Sequence, residues 1–410
     1  MIMNKISLLL FFVLNAYSYA KNIYVDSFIQ NSTVDVNTKI QKAFDFAQNG
    51  DNIIFDANKI YDIRSVYLNS KKGIKIVGNG ATLRVITNKG DAYYQDAGAI
   101  GLYSCSDIDI IDLIIDGQRQ LQDSSGFSMG IFIGKTQNSP IFFKDNGGEN
   151  KPSKNICIEN CTFTRTGKPN KGIDTFGDGV SAHFVDGLTV KNCLFEDVGR
   201  WAVAVSESYN VSIENNVVNN PNNGTALGSF DIENEGEDFA KGSYSKNITI
   251  KNNRLSGRAA VYLVTGYREN FSPKGKYGIE NVDIINNTFS VSKAKDYADD
   301  AIYIIAKSKN SRVEVPIRNV NISNNIFHSN PSLRYAINLA SEDRMSQFYN
   351  INIQDNTFNN FSSAINVETG YSETLNYVLV ENNTFKQDNF FDKMLNGRTS
   401  KIILRNNKVL

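Results

Sequence analysis

Asp231 and Glu233, two residues apart in Phe230-Asp-Ile-Glu-Asn234, are the carboxylates of this chain best spaced for acid–base chemistry. On a strand, residues two apart share a face, and their backbone origins lie about 6.6 Å apart at about 3.3 Å per residue. Cleaving a glycosidic bond takes one protonated carboxyl to assist the leaving oxygen and one ionised carboxylate as base or nucleophile, about 5 to 9.5 Å apart. Mutual repulsion separates the proton affinities of two such groups and leaves one of them protonated. Tyr262 could stack on a sugar ring or donate a proton, and His183 could act as a base. Arg200 is a candidate anchor for an acidic sugar, and Trp201 and Tyr303 offer ring faces to the same surface. Asp174 and Asp178, in Gly172-Ile-Asp-Thr-Phe-Gly-Asp-Gly179, and Arg268, in the long insertion 265–278, are further candidates for substrate binding. Competing with this reading is a plain one, since Asp, Glu and Asn are ordinary outward residues of any exposed strand and Asp in a Gly-rich turn commonly bonds its own backbone.

The elements that position these residues are announced by a repeated phrase. It reads Asn155-Ile-Cys-Ile-Glu-Asn-Cys-Thr-Phe163, then Asn247-Ile-Thr-Ile-Lys-Asn-Asn-Arg-Leu255, Asn281-Val-Asp-Ile-Ile-Asn-Asn-Thr-Phe289 and Asn319-Val-Asn-Ile-Ser-Asn-Asn-Ile-Phe327. Looser copies begin at Gly73, Asp107, Gly187, Asn210, Asn350, Tyr377 and Lys401. Apolar residues two apart mark strands, and one phrase recurring at a few tens of residues marks stacked rungs. Asn tolerates the left-handed backbone a tight corner needs, and its amide can bond the Asn of the next rung. The pattern therefore predicts an all-β solenoid of about ten to twelve rungs. Matching the inward apolar pair of each rung's second strand (Val180 and Ala182, Val203 and Val205, Phe230 and Ile232, and their successors) aligns an outward row: Ser181, Ala204, Asp231, Tyr262, Tyr303, Asn338 and Asn366. A neighbouring row begins His183, Ser206 and Glu233 and reaches Glu368.

Before the rungs, residues 36–48 have helical spacing at Ile40, Ala43, Phe44 and Ala47, with Asp35 as amino cap and Asn49-Gly50 as the stop. A helix there would cover the first rung's open edge. The chain thus divides into a signal peptide at 1–20, a cap with opening strands at 21–72 and a single long solenoid at 73–410. Lys5, the apolar run 6–14 and Ser18-Tyr-Ala20 have the layout of a secretory signal cleaved after Ala20, and the run is shorter than the roughly 20 residues of a bilayer span. The expected mature protein is secreted and has no stable membrane insertion. Lys plus Arg and Asp plus Glu both number 43, a balance that gives no sign of nucleic acid as a partner. Cys161 and Cys193 hold the same place in successive rungs, stacked with or without a bond, and with only His183 and His328 beside four cysteines no metal site is expected. Segment 388–398 could fold back over the last rung, or a second subunit could cover it, so a monomer and a homotrimer both fit.

Residues 35–48, followed by Asp51-Asn-Ile-Ile-Phe55 and Lys75-Ile-Val-Gly-Asn-Gly-Ala-Thr-Leu83, resemble the opening segment of the pectate lyase-like superfamily of right-handed parallel β-helices. The rung phrase extends that resemblance over 73–410. It implies a right-handed parallel β-helix with a short N-terminal helix, and a secreted or virus-borne protein acting on polysaccharide; it does not fix the reaction. The Asn-Thr-Asp, Gly-His-Gly and Arg-Ile-Lys set of polygalacturonase-like hydrolases is missing, Asp299-Asp300 reads as a turn, and the Asp-Pro-His-Glu of alginate epimerases is missing too. Gly199-Arg200 with Phe230-Asp-Ile-Glu-Asn234 is similar to the Arg-x-Gly-Ile and Gly-Ile-Asp-Ile-Glu-Pro pattern of many β-helix proteins, although Trp201-Ala202 and Asn234 depart from it. Three functions follow as expectations: a glycosidase working through Asp231 and Glu233 with no cofactor; a lyase abstracting the proton beside a uronate carboxyl through Tyr262, His183 or Arg200, with Ca2+ neutralising that carboxyl; and a noncatalytic adhesin whose polar rows grip glycan.

Overall fold

The computed structural model describes residues 20–29, 35–86, 98–121, 129–135, 151–167, 177–220, 227–234, 242–258, 260–266, 276–292, 300–307, 314–328, 335–341, 344–361, 363–369, 375–386 and 401–410. Asp174, Arg268, Asp299, the signal-like run before Ala20 and segment 388–398 lie outside them.

Three parallel sheets of 13, 12 and 10 strands run the length of the molecule, and each strand pairs with its counterparts one rung before and one rung after. Every copy of the phrase falls on the 13-stranded sheet and turns the corner onto the 12-stranded one, as in Gly242–Lys251 followed by Arg254–Arg258. The fold is a right-handed parallel β-helix. Segment 52–69 already supplies a strand to each sheet, so the stack begins within the stretch read as opening strands.

Corner chemistry explains the phrase. The first Asn of each pair takes a left-handed backbone, with φ of 57° at Asn252, 58° at Asn286 and 57° at Asn324. The second Asn turns inward, forming a ladder through Asn216, Asn253, Asn287, Asn325, Asn356 and Asn383, all buried, to the half-buried Asn407. Asn287 is typical: its Nδ2 donates to the Ile250 carbonyl at 2.9 Å and to Asn325 Oδ1 at 3.0 Å, and its Oδ1 accepts from the backbone N–H of Asn253. Buried amides tolerate burial because every group is paired. Cys193 and Cys161 occupy the same inward position one and two rungs earlier, as unbonded thiols. Burial pushes the Cys193 thiol well above its ordinary range, reinforced by Cys161 beside it.

A second, exposed amide ladder joins Asn350, Asn319, Asn281, Asn247 and Asn210 at 2.9 to 3.0 Å. Inside, Phe289, Phe327, Phe358 and Phe385 stack with centroids 4.7, 4.9 and 4.9 Å apart. The helix spans Val36–Phe46 and lays Ile40, Ala43 and Phe44 on the core. Asp35 caps it as predicted, accepting from Asn37 N at 3.0 Å and Thr38 Oγ1 at 2.8 Å. It ends ahead of the Asn49-Gly50 stop because Ala47, with a ψ of 128°, already leaves the helical path. Asp300 is not in a turn: it opens the strand Asp300–Ala306.

Candidate functional site

The candidate residues gather on the outer face of the 10-stranded sheet. Phe230 and Ile232 are fully buried in the core, so alternation turns Asp231 and Glu233 outward on the strand Gly228–Glu233. Register places Asp231 between Ala204 and Tyr262, and Glu233 between Ser206 and Val264. The rest of the row follows in the predicted order, Ser181 to Ala204 on one side and Tyr262 through Tyr303 and Asn338 to Asn366 on the other. His183 is level with Ser206, two strands from Glu233 or about 9.6 Å at strand spacing.

The face is far less open than an exposed sheet. Asp231 and Tyr262 are each 4% exposed, and Trp201 is as buried. Outward aromatic side chains account for part of this: Tyr262 meets Trp201 edge-on at 4.8 Å and Tyr303 edge-on at 5.5 Å, so the rings roof their own row. Gly228 faces Trp201, and a β-carbon there would collide with the indole ring. Glu233 keeps a half-buried side chain.

Arg200 and Asp178 differ from the sequence reading. Asp178 is 0% exposed and cannot touch a sugar; its carboxylate receives Arg200 Nε at 2.8 Å and Nη2 at 2.6 Å, and the backbone N–H of Trp201 at 3.1 Å. The fork of Arg200 is thereby committed to a buried partner, which makes it a positioning group more than an anchor for substrate. Burial works against its charge, but Asp178, its hydrogen bonds, and then the fields of Asp231 and Glu233 outweigh that and hold the guanidinium above its ordinary pKa. Arg200 is thus coupled electrically to both carboxylates and cannot act as a base. His183 Nε2 lies 3.4 Å from Ser181 Oγ, and its ring packs on Phe132 at 5.5 Å.

Sequence reasoning missed one polar group on this face. Asn338 Nδ2 donates to Asp300 Oδ2 at 2.8 Å and Asn366 Nδ2 to Asn338 Oδ1 at 2.9 Å, a buried chain of polar side chains beyond the aromatic rings. Its signal was Asp300 itself, which the turn reading set aside. Among the described residues no group of three or more His, Cys, Asp or Glu could hold a metal ion. No described helix is long and apolar enough to cross a membrane.

The fold is that of a right-handed parallel β-helix with one chemically varied outer face. Among solved structures, the chain is similar to an exopolygalacturonase from Thermotoga maritima (14% identity, 95% of this chain and 86% of that one, TM-score 0.50). It is also similar to the tailspike protein of E. coli bacteriophage HK620 in complex with pentasaccharide (12% identity, 95% and 67%, TM-score 0.61) and to PfbA, a surface adhesin of Streptococcus pneumoniae (16% identity, 95% and 89%, TM-score 0.54). At these identities the likeness is one of fold. No protein-family model and no curated protein sequence matches the chain.

Proposed function

We propose that this protein is a secreted enzyme that cleaves glycosidic bonds of a polysaccharide on the outer face of the 10-stranded sheet. The observation that carries the reading is the placement of Asp231 and Glu233 side by side on that face, within the field of Arg200 and against a wall of Trp201, Tyr262 and Tyr303. Their backbone origins, about 6.6 Å apart, suit a carboxyl pair flanking a glycosidic oxygen. Glu233, the more open of the two, has the access to water that a base requires; Asp231, closed in beside Tyr262, hands its proton to the leaving oxygen. Arg200, clamped by Asp178, steadies the negative charge that moves between them. The edges of the aromatic rings give sugar rings an apolar floor. A pentasaccharide held by one structural neighbour and the polygalacturonase activity named for another favour a glycan as substrate.

Elimination is the weaker reading, because it calls for a free base and Arg200 is not one; Tyr262 and His183 remain its candidates. A glycan-gripping module is the third reading, and the adhesin among the structural neighbours shares the same fold. A screen of the protein against capsule, pectin, alginate and glycosaminoglycan, following both new reducing ends and the absorbance of unsaturated products, separates all three. Hydrolysis gives reducing ends alone. The Asp231→Asn, Glu233→Gln double variant should lose turnover about 10³-fold or more while keeping its melting temperature within a few degrees. Glycan binding by the parent protein with neither product would sink the enzyme reading.

A further inference from the structure

Where the sheet that carries the carboxylates turns into the 13-stranded sheet, the surface opens into a cleft of about 400 Å³ lined by Lys135, Lys151, Lys154, Phe184, Tyr209 and Tyr244. That volume lies in the range of small-ligand sites, about 300 to 1,000 Å³. Lys135 Nζ sits 3.5 Å from the centre of the Phe184 ring, and Tyr209 is 42% exposed. The ring of Tyr244 is fixed by its hydroxyl, which donates to Glu280 Oε2 at 2.7 Å. Two carboxylates share the lining: Asp186, which accepts from Asn210 Nδ2 at 2.7 Å, and Glu207, which is 3% exposed. Lysines therefore dominate the accessible rim, on a chain whose formal net charge is zero.

The backbone of the cleft is unusual as well. Phe184 has φ of 56° and Glu207 a φ of 47°. A bulky side chain in the left-handed region costs about 1 to 2 kcal/mol, whereas the other corners of this β-helix assign such angles mostly to Asn, Asp and Ser. Strain of this kind gathers at functional positions. Phe184 follows His183, and Glu207 follows Ser206, so the cleft continues the row that contains Glu233. An acidic sugar lying on that row would find the fork of Arg200 already taken by Asp178, and its charge would need another partner.

The geometry points to this cleft as a subsite for an anionic sugar unit, its carboxylate or sulfate held at the lysine rim and its ring stacked on the exposed Tyr209. The inference rests on the glycan-active reading of the neighbouring face and names its substrate class: a polyanionic polysaccharide.

Calorimetric titration of the full chain with a galacturonate hexamer, a heparin-derived hexasaccharide and neutral maltohexaose tests it. At least one anionic probe should bind tenfold or more tighter than maltohexaose, with an advantage that shrinks as salt is raised; the two anionic arms tell carboxylate from sulfate. The Lys151→Ala, Lys154→Ala double variant should lose about tenfold in affinity, Lys154→Glu should lose more, and Lys154→Arg should retain binding. Equal affinity for neutral and anionic probes, or full affinity in the double alanine variant, overturns the subsite. Full affinity there together with turnover lost in the Asp231→Asn, Glu233→Gln variant rejects the cleft and keeps the enzyme. Weakened binding there together with turnover surviving in the carboxylate variant does the reverse.

Discussion

Two regions of this β-helix are built from the same rungs and use them in opposite ways. At the corner between the 13- and 12-stranded sheets, each of seven rungs contributes the same inward Asn, buried in all but the last, and each Asn bonds the next. On the outer face of the 10-stranded sheet, by contrast, the row changes from Ser181 to Ala204 to Asp231, then to the pair Tyr262 and Tyr303 and the pair Asn338 and Asn366. A position that repeats is answering a demand every rung makes, such as an inward backbone carbonyl that needs a donor. One that changes from rung to rung is released from that demand. Side-chain identity there reports on what lies outside the stack.

The contrast can be broken at its varied face first. Asp178→Ala leaves the buried guanidinium of Arg200 without its clamp, and unfolding free energy should fall by about 3 to 5 kcal/mol, read from denaturant melts. Asp178→Asn should lose less and shift the pH profile of turnover, since Arg200 feels Asp231 and Glu233. A smaller loss is expected on the repeating side. Asn287→Ala strands the backbone N–H of Asn253 and the Ile250 carbonyl, at about 2 to 3 kcal/mol, with kcat unchanged. Asn281→Ala, on the exposed ladder, should cost about 1 kcal/mol, chiefly from its φ of 58°, and Asn281→Gly should recover most of it. If the two Asn sites cost the same, burial is not what makes the inner ladder matter.

An effect of the same small size belongs to the helix cap. Asp35→Ala should cost about 1 kcal/mol. Burial raises the Asp35 carboxyl, but its bonds from Thr38 and Asn37 and the charge of Arg64 prevail and hold it below 3.8. A folded pKa below the unfolded one means this stabilisation is complete above the ordinary value and is lost as pH falls through the folded one. Melting curves of parent and variant should therefore converge at low pH.

The rungs were legible because two local rules agree at every copy: apolar residues two apart face one way, and Asn accepts the left-handed corner. Register of the varied row was legible for the same reason, since a pair such as Phe230 and Ile232 can only point inward. What escaped depended on partners distant in sequence. Asp178 reads as a turn residue until Arg200, on the following rung, closes on it. Asp231 is buried although the strand pattern turns it outward, and that pattern is equally silent about the edge-on packing of Trp201, Tyr262 and Tyr303 along the same face. Asp300 was passed over because a pair of acids resembles a turn, whereas Asn338 and Asn366 beyond it show what it serves. The lysine cleft draws on positions either side of a corner, and no periodic pattern collects those.

The inner amide chain stops at Cys193, where a thiol that accepts poorly replaces a group that both gives and receives. Upstream of that step the inward corner has no amide chain, and the rungs are joined by main-chain bonds, apolar packing and side-chain pairs such as Arg84 with Asp62, Arg165 with Asp116 and Arg200 with Asp178. Pulled from its two ends, the molecule would meet a change of fastening there, from amides stitched inside the corner to ion pairs set around the outside of the rungs that bear His183 and Trp201.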